Sequence, residues 1–202
     1  MPETYRYIDP DSVYTDPETG LLRNLGGITD EAELRFFESA AVGKRLRELR
    51  HNSVPVKDAG ALLVIHWHLF QDVSAWAGKP RTVEINKGGK PFFPTSHFNN
   101  AFRYIDLRLA DYRAVPAHEQ TALTQKLSEI LDTVNELHPF REGNGRTQRE
   151  FLRLLAQEKG YVLELNPPDN ADVYQRYMTG TITADVEMLT ALIAELLVPV
   201  LL

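Results

Sequence analysis

The chain has 202 residues, 43% apolar and 25% charged, with a net charge of −6 and no cysteine. That length suits one domain able to bury about two-thirds to three-quarters of its unfolded surface. The acidic balance argues against broad binding to a nucleic-acid backbone, and the lack of Cys excludes disulfides, thiolate chemistry and Cys-ligated zinc. No apolar run is long enough to span a bilayer, and Met1 to Tyr7 has no apolar signal region. The expectation is a cytoplasmic protein with neither nucleic-acid nor membrane partners.

In chain order, residues 1–28 are rich in Pro, Asp, Gly and Tyr, with a turn at Asp16-Pro17-Glu18-Thr19-Gly20. Tyr5, Tyr7, Tyr14, Leu21 and Leu22 give this arm something to bury. A helix is predicted from Asp30 to Arg50, with Asp30 as N-cap and Glu33 as its acidic third residue. A second, Ala59 to Ala77, is apolar nearly all round and should be buried, ending at Gly78 and Pro80. His66 and His68 within it face different sides, so they read as hydrogen-bonded core or groove histidines and not as a metal pair. Arg81 to Pro94 reads as a hairpin, with Thr82, Val83 and Ile85 in strand and Lys87-Gly88-Gly89-Lys90 as the turn. Pro91 and Pro94 confine it to an edge.

Ser96 starts a third helix and Pro116 separates it from a fourth, Glu119 to Leu137, with Leu123, Leu127, Leu131, Val134 and Leu137 as its apolar stripe. After the next helix, Gly160 is a C-cap and Tyr161 to Leu165 is extended. Pro167-Pro168 turns the chain into a short helix carrying Tyr174 and Tyr177. A last helix runs from Thr183 until Pro199 stops it.

Between the fourth helix and the next lies His138-Pro-Phe-Arg-Glu-Gly-Asn-Gly-Arg-Thr-Gln-Arg149. Pro139 disfavours helix at the residue before it, and Gly143-Asn144-Gly145 permits a backbone bend. A Gly-rich turn feeding a helix N-terminus offers unpaired N–H groups to an anion. Arg146 and Arg149 share one face of the first turns, and two guanidinium forks beside such a nest suit a polyphosphate. Glu142 would repel that phosphate unless a divalent cation lay between them, and Mg²⁺ is commonly held by a carboxylate plus substrate phosphates. His138 supplies an imidazole, a group whose unperturbed pKa lies near neutrality, fit for general-base work.

This stretch resembles the signature of Fic-domain proteins, H-x-F-x-[D/E]-G-N-G-R-x-x-R, with every fixed position filled. The run Tyr14 to Leu25 also resembles the N-terminal lead of many bacterial members. The resemblance implies a mainly α-helical Fic bundle with one β-hairpin flap. It would be a single domain over 1–202, with the arm at 1–28, the flap at 81–94 and the signature at 138–149. It implies transfer of AMP from ATP to a Ser, Thr or Tyr hydroxyl of a target protein. His138 would be the base and Phe140 the loop anchor. Glu142 would hold Mg²⁺. Gly143, Asn144, Gly145 and Arg146 would take the α- and β-phosphates, and Arg149 the γ-phosphate. The flap, through Val83, Glu84 and Ile85, would grip the target by adding a strand, with Lys87 and Gly88 near the nucleotide. Tyr174 and Tyr177 would line the adenine pocket, although ordinary packing explains them as well.

Two rivals stand beside this reading: transfer of UMP, a phosphocholine or a whole phosphate, and a nucleotide-binding interaction module without turnover. The intact Gly-Asn-Gly-Arg core favours AMP, and His138 argues against a mere module. Many Fic proteins carry an inhibitory helix of pattern [S/T]-x-x-x-E-[G/N]. Thr29 to Glu33 and Thr183 to Glu187 have the spacing but are followed by Leu34 and Met188. The chain therefore resembles the class held off by a separate small antitoxin, whose Glu would be aimed at Arg149. It would act as the toxin of such a pair or as an effector delivered to a host cell.

Overall fold

The computed structural model describes residues 6–7, 9–87 and 90–200. The Asp30 carboxylate accepts from the Glu33 N–H at 2.9 Å and starts helix α1, Glu31–His51. This is the capping that the sequence predicts, since a short acidic side chain satisfies an N–H the helix leaves unpaired. Helix α2 is Ala61–Phe70, shorter than predicted. The run to Ala77 stays buried at Val73, Ser74, Trp76 and Ala77 but leaves the helix in a series of turns. Its Val73 carbonyl accepts from Leu25 of the arm at 2.8 Å. Continuous apolar character signals burial without fixing the period, and here the tail of the run is buried as turns. Nor is α2 buried all round, since Val64 and Trp67 are half exposed.

The flap holds two strands, β2 Ile85–Lys87 and β3 Lys90–Pro91. A third strand was not predicted. Residues Arg6–Tyr7 of the arm form β1 and pair antiparallel with β2, giving the order β1-β2-β3. Thr82 and Val83 stand outside the strand in a bend. Below the sheet a small cluster joins Tyr14, Trp76, Val83 and Ile85. The arm thus packs as predicted through Tyr14 and Leu22, while Tyr5 lies outside the described residues.

A 3₁₀ turn at Thr95–His97 leads into α3, Phe98–Ala114, followed by α4, Gln120–Leu137, and α5, Asn144–Glu158. Strand β4, Tyr161–Val162, pairs antiparallel with β5, Val198–Pro199, so Pro199 closes a small ladder beyond the last helix. Between them lie α6, Ala171–Thr183, and α7, Val186–Leu196, which starts at Asp185 and not at Thr183. The Asp185 carboxylate is the cap, accepting from Met188 N–H at 2.9 Å. Helix α4 packs against α3, α5 and α7, and α2 lies between α1 and α5. The stripe predicted for α4 is fully buried. Among the described residues no helix is long and apolar enough to cross a membrane.

The join between α4 and α5 positions the site. Gly143 has φ +84°, and a Cβ there would fall 2.4 Å from the Phe70 ring. Only glycine meets both demands. Gly143→Ala should therefore cost roughly 2–5 kcal/mol from backbone strain and overpacking together. Denaturant melts of Gly143→Ala and of Gly143→Ala/Phe70→Leu check this. The smaller residue should recover the steric part only.

Candidate active site

Helix α4 ends on His138, which adopts a left-handed conformation with φ 44° and ψ 61° and is 6% exposed. A non-glycine residue held there carries local strain that the surroundings must override. Its Nδ1 lies 3.0 Å from the Asn135 carbonyl oxygen. A carbonyl only accepts, so Nδ1 carries the proton and the neutral ring keeps its lone pair on Nε2. The Phe92 ring from the end of the flap stacks on the imidazole at 3.8 Å. One face of the imidazole is therefore covered by the flap.

The loop then closes on itself. Asn144 Oδ1 accepts from Phe140 N–H at 2.9 Å, and Asn144 Nδ2 donates to the Phe140 carbonyl at 2.8 Å. The Asn144 side chain is consumed in this bridge and is 2% exposed, so what it offers an anion is its backbone. Phe140 is fully buried. Glu142 Oε1 accepts from Gly143 N–H at 2.9 Å, and its side chain is 32% exposed at the head of α5. Gly145, Arg146 and Arg149 follow on the first turns. A Cβ on Gly145 would lie 3.3 Å from an Arg149 terminal nitrogen. The Arg149 guanidinium sits 5.4 Å from the ring centres of both Tyr174 and Tyr177. Tyr177 is buried and donates to Gln148 Oε1 at 3.1 Å, while Tyr174 is half exposed. The structure thus gathers His138, Glu142, Gly143, Asn144, Gly145, Arg146, Arg149, Tyr174 and Tyr177 around one helix N-terminus. The two tyrosines form a wall behind Arg149.

The flap residues fare differently. Val83 and Ile85 turn into the small cluster, and only Glu84 points outward, accepting from Thr95 N–H at 2.9 Å. Both sides of β2 are already paired, with Tyr7 opposite Ile85 on one side and β3 on the other. Strand addition at Ile85 is therefore blocked by the arm, and the outer edges belong to β1 and β3. Lys87 ends β2, and Gly88 lies outside the described residues.

Two buried side chains shape the site from outside the signature. Arg81 donates from Nε to the His138 carbonyl at 2.9 Å, from Nη1 to Val83 at 2.7 Å and from Nη2 to Phe93 at 2.6 Å. Its backbone N–H reaches Pro139 at 2.7 Å. His66 was expected as a core histidine and is one. It accepts at Nδ1 from Gly78 N–H at 2.8 Å, lies 3.0 Å through Nε2 from the Glu142 carbonyl, and stacks on Phe140 at 3.7 Å. Both partners lie far along the chain, so only the fold reveals them.

Burial pushes the His66 pKa down from 6.5 to about 4, while the bond to Glu142 opposes the shift. The unfolded chain therefore takes up this proton first. The stabilisation from keeping the ring neutral is complete above pH 6.5 and is lost as pH falls towards 4, about 3 kcal/mol in all. His66→Gln keeps one donor and one acceptor but does not titrate. Urea melts of both proteins at pH 7, 5 and 4 should show their stability gap narrowing as pH falls.

The family model "Fic/DOC family" matches residues 57–156. The chain is 39% identical over 160 residues to protein adenylyltransferase VbhT of Bartonella schoenbuchensis, covering 79% of this chain and 34% of that protein. It thus spans about a third of the length of that relative. It is 36% identical to probable protein adenylyltransferase y4lH of Sinorhizobium fredii, covering 81% of this chain and 86% of that one. The solved structure of BepC from Bartonella tribocorum, with bound AMPPNP, superposes with a TM-score of 0.81 at 21% identity over 93% of this chain and 97% of that one. From the signature geometry and these relatives together, the chain belongs to the Fic/DOC family.

Proposed function

We propose that this chain is a protein adenylyltransferase, acting as one Fic domain that moves AMP from ATP to a hydroxyl side chain of a target protein. The observation that carries the reading is the His138 Nδ1 contact to the Asn135 carbonyl, which assigns the proton-accepting role to Nε2, beside a helix N-terminus bearing two arginines. The adenylyltransferase names of VbhT and y4lH support it.

The triphosphate lies on the N–H groups of Asn144 to Arg146, with Arg146 and Arg149 on its outer oxygens. His138 Nε2 takes the proton of the target hydroxyl. The oxygen attacks the α-phosphorus in line, the bond to the bridging oxygen breaks, and pyrophosphate leaves with that electron pair. The imidazolium later returns its proton to solvent. Positioning and charge stabilisation do most of the work, and the base contributes about 10²–10⁴-fold.

Glu142 fits a role in holding Mg²⁺. It is a hard, partly exposed carboxylate at the phosphate end of the nest, and the described residues hold no cluster of three or more His, Cys, Asp or Glu that would bind a metal without substrate. Bound there, the cation would neutralise charge on the phosphates. The target docks as an extended segment on an outer edge of the flap sheet, close to Phe92 and His138. Among the described residues no carboxylate pairs with Arg149, which leaves its guanidinium open to a γ-phosphate or to the Glu of a small inhibitor protein. Such an antitoxin partner fits a toxin or effector that must be silenced where it is made.

With α-labelled ATP and lysate, the wild type should label a protein band and His138→Ala should lower labelling at least a hundredfold. ATP binding should remain, because His138 meets the target and not the phosphates. Labelling that survives intact in His138→Ala would remove the proposed base.

Glu142→Ala should abolish the divalent-metal dependence of nucleotide binding, measured by calorimetry with and without EDTA. Persisting metal dependence would move the cation elsewhere.

A further inference from the structure

Arg146 is not free to choose its direction. Its Nη2 lies 2.6 Å from Glu38 Oε1 and 3.7 Å from Glu142 Oε1, and its guanidinium carbon is 4.6 Å from the Phe70 ring centre. Glu38 belongs to α1, outside the residues 57–156 matched by the family model. Nothing in the signature calls for an acid there. The Arg146, Glu38 and Glu142 side chains are 26%, 22% and 32% exposed, so the ion pairs are partly screened and count for little as stability. Their geometry says more than their energy. Two carboxylates compete for a single nitrogen, and the one from α1 holds it more closely.

We infer that Glu38 is a positioning residue that keeps Arg146 off Glu142 and so leaves the Glu142 carboxylate available to a divalent cation. This inference rests on the adenylyltransferase reading above. Arg146 and Glu142 are four apart on one helix face, a spacing at which opposite charges close on each other when nothing intervenes. Closed, that pair would take the Glu142 oxygens that the cation needs. It would also turn the guanidinium away from the phosphates. Glu38 draws one nitrogen towards α1 while the Phe70 ring supports the guanidinium face. The remaining N–H donors are then held in one direction before substrate arrives, which is where electrostatic stabilisation gains most. A carboxylate near the phosphate site would otherwise only repel ATP. Its bond to Arg146 spends that charge on the arginine.

The test measures binding of AMPPNP by calorimetry across a Mg²⁺ titration, for wild type, Glu38→Gln and Glu38→Ala, with melting curves to establish that each is folded. Both variants should need about tenfold more Mg²⁺ for half-maximal binding, a larger change than any fall in binding measured in EDTA. In a Glu142→Ala background the Glu38 substitutions should have no further effect on metal dependence, because their action runs through Glu142. Unchanged Mg²⁺ dependence in folded Glu38 variants overturns the inference. So does tighter binding, which would make Glu38 a brake on the site. A wild-type protein that binds no AMPPNP at any Mg²⁺ concentration would instead sink the nucleotide reading itself.

Discussion

The guanidinium of Arg81 is the contact on which the site's shape depends. Its side chain has no solvent exposure, and among the described residues its one carboxylate neighbour, Glu84 at 3.3 Å, is itself 60% exposed. Burial lowers its pKa from the ordinary arginine value, against the pull of that carboxylate. Taking a charge out of water costs several kcal/mol unless its hydrogen bonds are replaced. Here they are replaced by carbonyls at Val83 and Phe93, on either side of the flap strands, and at His138, the cap of α4. A helix end leaves its last carbonyls without intrahelical partners. Arg81 answers that need and the flap's need together, so the flap sheet and His138 are fastened to one buried cation.

The two signature arginines meet opposite surroundings. Arg146 is anchored by carboxylates and an aromatic face, whereas Arg149 leans on Tyr174 and Tyr177. An ion pair fixes the direction of a guanidinium, because the charged oxygen sits at one place. The tyrosine rings support Arg149 from the side, and Tyr177 also engages it through a hydrogen bond. Behind both, Gly143 brings the loop against Phe70, and His66 ties the Glu142 peptide to Gly78.

What could be read from the sequence was what is local in it. Asp30 capping α1, the α4 stripe and the break at Pro139 depend on residues within a few positions, and each appears where expected. The signature lies within one turn-and-helix, so its residues had to come together. The end of α2 was misjudged because an apolar run reports burial and not conformation. Strand β1 was missed because two residues of an arm carry no period, and its pairing with β2 takes up the edge expected to hold a target. The contacts of Arg81, His66 and Glu38 with the site could not be read for a common reason: those partners lie 57, 76 and more than a hundred residues away.

The left-handed backbone at His138 narrows what mutation can try there. That region suits glycine and is tolerated by Asn, Asp and His far better than by branched or bulky residues. Backbone shape therefore filters the alternatives before chemistry does. Among the residues that pass, Asn has a side chain of similar reach and can still donate to the Asn135 carbonyl, yet it cannot take a proton near neutrality. His and Asn codons differ by a single nucleotide. The fold thus sits one mutational step from an inert protein with its loop, nest and flap intact. On the proposed function, a lineage could lose the base in this way while keeping the shape of the site.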